Sequence, residues 1–419
     1  MNRNVFSAPG KESQRRRLAR SKNLQFQSAR SVTETLRTLS NSNDGTVSTV
    51  SVMKYDSNQP ELLLVLAVRE PFQHHMLREI YEQPDALTRT LKEEWPEAKR
   101  IAESLNAERL ELIYLTGSGT SYHACLAVNY AVSTLTSVLS STLPASEFAS
   151  WTTRAHTGTV LIAISQSGES TDVINAVKSA IHSGMRTIAI TNSPESSLAR
   201  MCDLRLLSRA GPENALTATK SFTCTILAAQ LLILELAKSL GDHPKYDSLA
   251  LTINQIPQLV KRSILLAEED TQILAETYKD KEFFFLLGSG PNHATALEGA
   301  LKMKESCNVY AEGFATREFL HGPMQLVDSR TPILILQDPG TSDEVMKLAE
   351  SFKRFQAPVI IFRSKDNSIE GKTIKTVGGV DEIFLPLVDV IPLQLYSYYS
   401  SVVRGLNPDN PPKLKKVVR

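Results

Sequence analysis

In ALEGALKMKES, Glu298, Lys302 and Glu305 fall at positions i, i+4 and i+7. That spacing puts a carboxylate, an ammonium and a second carboxylate on one helical face, although a solvated Glu/Lys ladder has the same spacing. Downstream, EFLHGP sets His321 directly before Gly322 and Pro323, a pair that must end a helix and can hold an imidazole in a rigid turn. A lone His in such a turn is usually structural. A carboxylate, an ammonium and an imidazole clustered near a bound phosphate are nevertheless the equipment for opening a sugar ring and moving a proton between adjacent carbons. The tail KLKKVVR contributes Lys413, Lys415 and Lys416. Its ordinary reading is a frayed terminus; its chemical one is an amine that stabilises an oxyanion or forms a Schiff base.

A second set of residues suits an anion. ISQSGEST at 164–171 places Ser165, Ser167, Ser170 and Thr171 between the apolar run TVLIAI and the helical pattern TDVINAVKSAI. A loop that leaves a parallel strand and enters a helix presents backbone N–H groups and the positive end of the helix dipole. Gly168 lets the backbone approach a ligand, and no Lys follows it as in a nucleotide-binding P-loop, so a monophosphate on a small molecule fits better than a triphosphate. Capping by Ser and Thr is the bland alternative. RAGPENALTATKSF at 209–222 offers Thr217, Thr219 and Lys220, and GSGTSYHA at 117–124 offers Thr120 and Ser121. In an open parallel sheet such strand-end loops converge on one crevice.

The elements that must position these residues alternate. Apolar strands (LELIYLTGSG, TVLIAISQSG, RTIAITNSP) are separated by amphipathic helices, then followed by the long helix FTCTILAAQLLILELAKSL. Continuous Ile/Val/Leu strands between helices predict a parallel sheet covered on both faces. The series repeats: YLTGSGTSYHACLA matches FLLGSGPNHATALE, and IAISQSGESTDV matches LILQDPGTSDEV, with glycines 171 and 172 residues apart. In the second copy Gln337, Asp338 and Pro339 replace Ser165, Gln166 and Ser167. The expected organisation is a disordered extension over 1–70, a first α/β domain over 71–245 with a helical lead-in, a second over 246–405, and a tail over 406–419. Pro84 and Pro96 each suit the first turn of a new helix.

Composition excludes several classes. At 419 residues with 42% hydrophobic and 22% charged, the chain supports two domains, and a formal charge of +1 gives no bulk attraction to nucleic acid or membrane. No apolar run reaches ~18 residues, so no membrane span is expected. Cys125, Cys202, Cys224 and Cys307 have no C-x-x-C spacing, which suits reduced packing thiols in the cytoplasm. No metal-ligand cluster and no need for a redox cofactor are expected. The first 37 residues carry seven Arg and two Lys against Glu12 and Glu34, which reads as a disordered extension, an organelle presequence or a nucleic-acid arm.

ISQSGEST, AGPENALTATKSF, ALEGALKMKES and EFLHGP, in this order, resemble the sugar isomerase (SIS) family, specifically double-domain members that handle hexosamine phosphates. The resemblance runs from MLREIYEQP to the end and implies two tandem αβα sandwiches with parallel sheets of near five strands. It implies that Ser165, Gln166, Ser167 and Ser170 grip the sugar phosphate with Thr120 and Ser121 nearby; the loop reading above adds Thr219 facing the same crevice. It further implies that Glu305 shuttles the proton, His321 opens the ring across a homodimer boundary, Lys302 lies beside them, and Lys416 is the tail amine. Two members compete: the isomerase half of glutamine:fructose-6-phosphate aminotransferase, and the sugar-isomerase-type glucosamine-6-phosphate deaminase. Ala218 in TATK, where the aminotransferase usually reads ASTK, and the lack of a glutaminase segment lead to deamination of glucosamine 6-phosphate to fructose 6-phosphate and ammonia. IYEQP and the lysine-bearing tail favour the opposite direction, with free ammonia or a separate glutaminase subunit as nitrogen source. A third expectation is a catalytically silent sugar-phosphate-binding regulator.

Overall fold

The computed structural model describes residues 72–106, 110–152, 158–241, 244–338, 340–364 and 372–417; the expected basic extension over 1–70 lies outside them. The chain enters through α1 (His75–Tyr81) and α2 (Gln83–Asn106). Pro84 sits in the first turn of α2, as its sequence position suggests, but Pro96 opens no new helix and lies inside α2. Proline there removes one i to i−4 bond. Packing on a later helix holds the segment straight through: Leu87, Leu91, Ala98 and Ile101 are buried, and Trp95 Nε1 donates to Glu235 Oε1 at 2.5 Å.

The first half contains β1 (Leu112–Gly117), α3 (Thr120–Leu135), β2 (Leu139–Pro144), α4 (Ala145–Trp151), β3 (Thr159–Ile164), α5 (Thr171–His182), β4 (Arg186–Thr191), α6 (Ser197–Met201), β5 (Leu204–Leu207) and α7 (Lys220–Leu240). Its strands pair in parallel in the order β2-β1-β3-β4-β5. All six residues of β3 are buried, as a strand covered on both faces requires. The long α8 (Tyr246–Thr277) leads to β6 (Phe283–Gly288), α9 (Asn292–Cys307), β7 (Tyr310–Ala315), β8 (Ile333–Leu336), α10 (Ser342–Arg354), β9 (Val359–Arg363), β10 (Lys372–Lys375) and α11 (Leu385–Val403). The second sheet, β10-β9-β8-β6-β7, is also parallel and repeats the first order strand for strand.

The duplication extends to detail. α3 and α9 both have 16 residues and both follow a strand that ends in glycine. A Cβ on Gly117 would lie 2.8 Å from the Ser121 carbonyl carbon, and one on Gly288 would lie 2.1 Å from the Asn292 carbonyl oxygen. Each helix therefore turns back against the strand end more closely than any side chain permits. One large hydrophobic cluster runs through both halves, joining α2, α3, α7, α8, α9 and α11, while two smaller clusters lie under the outer helices. α7 is long and apolar enough to cross a bilayer, but 83% of that stretch is buried inside the protein, where it serves as a core helix. Cys125, Cys224 and Cys307 are buried and Cys202 is half-buried, all unpaired. Burial pushes the Cys202 and Cys224 thiols up to about 12, which suits packing rather than nucleophilic use.

Gly288→Ala should lower stability by about 2 kcal/mol or more, since the obstruction is backbone. Gly340→Ala, where an added Cβ meets nothing within 4 Å, should shift the urea midpoint little. Equal midpoints for the two variants would contradict the close-approach account.

Candidate active site

The acid–base face expected on ALEGALKMKES exists on α9 and is buried rather than solvated. The Glu298 and Lys302 side chains are fully buried, and that of Glu305 is 19% exposed. Lys302 Nζ lies 2.6 Å from Glu305 Oε2 and 3.4 Å from Glu298 Oε1. The remaining partners come from α3 in the first half. Lys302 Nζ donates to Thr120 Oγ1 at 3.1 Å, Thr120 Oγ1 donates to Glu298 Oε1 at 3.0 Å, and His123 Nδ1 lies 2.8 Å from Glu298 Oε2. Burial pushes the Glu298 carboxyl up, but the Lys302 ammonium and the bonds from His123 and Thr120 outweigh it and leave it below its ordinary value. Burial likewise disfavours the Lys302 charge, and the Glu298 and Glu305 carboxylates reverse that, raising it to about 12. Lys302 and Glu298 are thus both charged at neutral pH, and Glu305 is the carboxylate with access to solvent.

The loop after β3 is shaped by its own backbone. Ser165 Oγ accepts from Gly168 N at 3.1 Å and Ser167 Oγ accepts from Glu169 N at 3.2 Å; each hydroxyl keeps its own proton to donate. The Gln166 carbonyl accepts from Asn192 N and the Gly168 carbonyl from Leu198 N, which ties the loop to the end of β4 and to α6. Gly168 has φ +67, and a Cβ there would lie 2.1 Å from Ser196 Oγ. Ser170 stands at the N-cap of α5 yet makes no side-chain cap bond, so the first-turn N–H groups lack that partner and can receive an anion. Ser121 is half-buried at the start of α3. Thr120, grouped by sequence with the phosphate residues, is brought instead to Lys302 and Glu298.

The loop 209–222 and the start of α7 are clamped by residues 79–83. Asn214 N and Ala215 N donate to Glu79 Oε1, Lys220 Nζ pairs with Glu82 Oε2 at 2.5 Å, and Thr223 Oγ1 donates to Gln83 Oε1 at 2.8 Å. Glu213, its side chain fully buried, accepts from Thr219 N, Ser221 N and Ser221 Oγ. Thr219 Oγ1 and Thr217 Oγ1 are buried with no partner among the described residues. Lys416 Nζ reaches this loop, 3.4 Å from Glu213 Oε2 and bonded to the Ala215 carbonyl; Lys413, Lys415 and Lys416 are all exposed. Asp409 anchors the tail: its carboxylate caps His75 N and Met76 N at 2.8 and 2.7 Å, and its carbonyl accepts from Leu216 N. His321 stands apart, exposed at the end of a short 3-10 turn; among the described residues no hydrogen bond joins it to Glu305. Nor does any group of three or more His, Cys, Asp or Glu side chains there form a metal cage.

The equivalent crevice of the second half is filled by its own carboxylates. Asn292 Nδ2 donates to Asp338 Oδ1 at 2.5 Å and to Asp389 Oδ2 at 2.9 Å, with all three residues buried. Burial pushes both carboxyls up to about 7, against the Asn292 bond, which lowers them. Where the first half has serine hydroxyls, the second has buried carboxyls bonded to Asn292.

Residues 110–235 and 277–404 match the SIS domain family, and the chain belongs to it. Among its relatives, the glutamine–fructose-6-phosphate aminotransferase (isomerizing) of Methanothermobacter thermautotrophicus is 36% identical over 84% of this chain and 58% of its own length. That of Thermococcus kodakarensis is 34% identical over 89% of this chain and 62% of its own. The chain thus spans about three fifths of these relatives. The solved C-terminal domain of glucosamine-fructose-6-phosphate aminotransferase from Francisella tularensis superposes with a TM-score of 0.76 at 29% identity, covering 82% of this chain and 99% of that domain. A glucosamine-6-phosphate deaminase from Thermotoga maritima shares the fold, with a TM-score of 0.66 at 24% identity over 82% of this chain and 99% of that one.

Lys302→Met should cost about 3–5 kcal/mol by stranding Glu298 as a buried anion, and Glu298→Gln added to it should restore part of the loss; urea denaturation of both variants reads this. The Asp338–Asp389 pair gives a pH signature. Folded-state values near 7 lie above the ordinary aspartate value of 3.8, so their contribution is full below about pH 4 and is lost as pH rises to about 7. Asp389→Asn should therefore flatten stability between these limits and raise the melting temperature at pH 8.

Proposed function

We propose that this chain interconverts fructose 6-phosphate and glucosamine 6-phosphate and works in the aminating direction. The observation that carries the reading is the buried Lys302 with the solvent-accessible Glu305 at 2.6 Å. An ammonium that cannot leave, beside a carboxylate that a substrate can touch, suits proton transfer between two carbons through an anion-like state. The direction follows the relatives, which carry aminotransferase names.

In this reading the 6-phosphate rests on Ser165, Gln166, Ser167, Ser170 and the first turn of α5, with Ser121 nearby and Thr219 lining the crevice. His321 opens the furanose. Ammonia condenses with the C2 ketone and water leaves, giving a C2 imine. Glu305 removes the C1 proton, forming an enolamine, and returns it to C2, while the O1 proton passes to nitrogen; the product is the C1 aldehyde of the 2-amino sugar. Lys302 offsets the charge that develops, and Lys416, positioned by Glu213 and Ala215, holds the keto sugar through electrostatic or Schiff-base contact. Ammonia enters free or from a separate glutaminase subunit. The exposed His321 suits a site completed across a homodimer, and the protein would act in the cytoplasm.

Deamination of glucosamine 6-phosphate is the second reading, favoured by Ala218 in the TATK loop. Purified protein should form glucosamine 6-phosphate from fructose 6-phosphate and ammonium, or from glutamine once a glutaminase is added. Glu305→Gln should lower kcat at least about 100-fold. Ammonia release from glucosamine 6-phosphate with no reverse amination would instead establish the second reading, and Glu305→Gln with full turnover would remove both.

A further inference from the structure

The polar network around Lys302 includes a titratable imidazole to which none of the steps above gives a part. His123 lies on α3, three residues after Thr120, its side chain 14% exposed. Nδ1 stands 2.8 Å from Glu298 Oε2. Glu298 is held below its ordinary value and so is ionised, which makes it an acceptor at both oxygens. The Nδ1 atom must therefore carry the proton of this bond. The other oxygen of Glu298 takes the Thr120 hydroxyl at 3.0 Å, and Lys302 lies 3.4 Å from that same oxygen.

We propose that His123 is a positioning residue for the acid–base pair, acting through Glu298 on Lys302 and so on Glu305. The geometry explains why a donor is needed at this place. Lys302 is shared between two carboxylates, close to Glu305 at 2.6 Å and more distant from Glu298 at 3.4 Å. That unequal sharing keeps the ammonium where the reaction can use it. His123 satisfies one oxygen of Glu298 and Thr120 the other, so Glu298 is supplied with donors without drawing Lys302 towards itself. Without the imidazole donor, a fully buried carboxylate oxygen is left unsatisfied, a large cost in this setting. The nearest way to relieve it is for Glu298 to take more of Lys302, which withdraws the ammonium from Glu305. His123 also spans the two halves, so the first repeat sets the alignment of chemistry carried by the second. Its neighbourhood contains one further imidazole, His293, whose value is lowered by burial and by His123.

This inference rests on the function proposed above, and three variants separate the two. Leucine at 123 keeps bulk and removes the donor; asparagine places an amide N–H close to the Nδ1 position. In the amination assay H123L should lose at least about tenfold in kcat, roughly 1.4 kcal/mol of barrier, with KM for fructose 6-phosphate within about twofold. H123N should recover kcat to within about threefold of the wild type. A purely packing role predicts the reverse order, because leucine fills the space better than asparagine. If H123L does not fold, H123Q replaces it: its amide sits one bond farther out, and its kcat should fall below that of H123N. Wild-type kcat in H123L, or in H123Q where that replaces it, or an H123N no better than the variant it is compared with, overturns the inference. The E305Q variant is the control for the underlying reading. Turnover that survives E305Q removes that reading and this inference with it, whereas turnover lost in E305Q but intact in H123L removes the role of His123 alone.

Discussion

A lysine ammonium with no solvent exposure is the constraint on which the rest of this structure depends. Lys302 retains its charge because two carboxylates and a hydroxyl are already in place around it. Removing a charge from water costs several kcal/mol that short, well-directed contacts must offset. Those contacts come from both repeats, Glu298 and Glu305 from one and Thr120 from the other, with His123 supporting Glu298. The two halves must therefore dock through α3 and α9 before the charge can be held, and the shared hydrophobic cluster supplies the driving force for that docking.

Duplication gave two copies of one architecture, and physical chemistry then separated their uses. Both sheets have the same strand order. In the first, serine hydroxyls and unshared helix N–H groups favour an anion. In the second, buried Asp338 and Asp389 occupy the corresponding place and hold Asn292 instead. The second half carries instead the helix with Glu298, Lys302 and Glu305, so that in the proposed function the two halves take different parts.

Much of the fold was legible because its signals are local. Apolar strands alternating with amphipathic helices mark a parallel sheet, and two glycines at matched spacing mark the repeat. Pro96 shows the limit of local signals: proline argues for a helix start, yet the buried face of α2 carries the helix through it. In the site, the spacing of Glu298, Lys302 and Glu305 showed a common face but not its burial, since a solvated ladder has the same pattern. Residue type and loop position group Thr120 with the phosphate loop, and nothing in that pattern shows that it also bonds Glu298 and Lys302, about 180 residues away. His123 had no signal beyond an i, i+3 relation to Thr120, and Glu79, Glu82 and Gln83 gave none of their clamping role.

The sequence alone determined the α/β class and the two repeats, because each follows from residue type and short-range periodicity, and it supplied the loop and the charged helix face that the proposed function uses. Tertiary structure decided which of those side chains meet. Lys302 became a buried cation, Thr120 and His123 became partners of Glu298, and Lys416 was tied to Glu213 once the chain brought distant segments together. The physical reason is that charge and hydrogen-bond partnership depend on distances of a few ångströms between residues far apart in sequence, and that information resides in packing rather than in pattern.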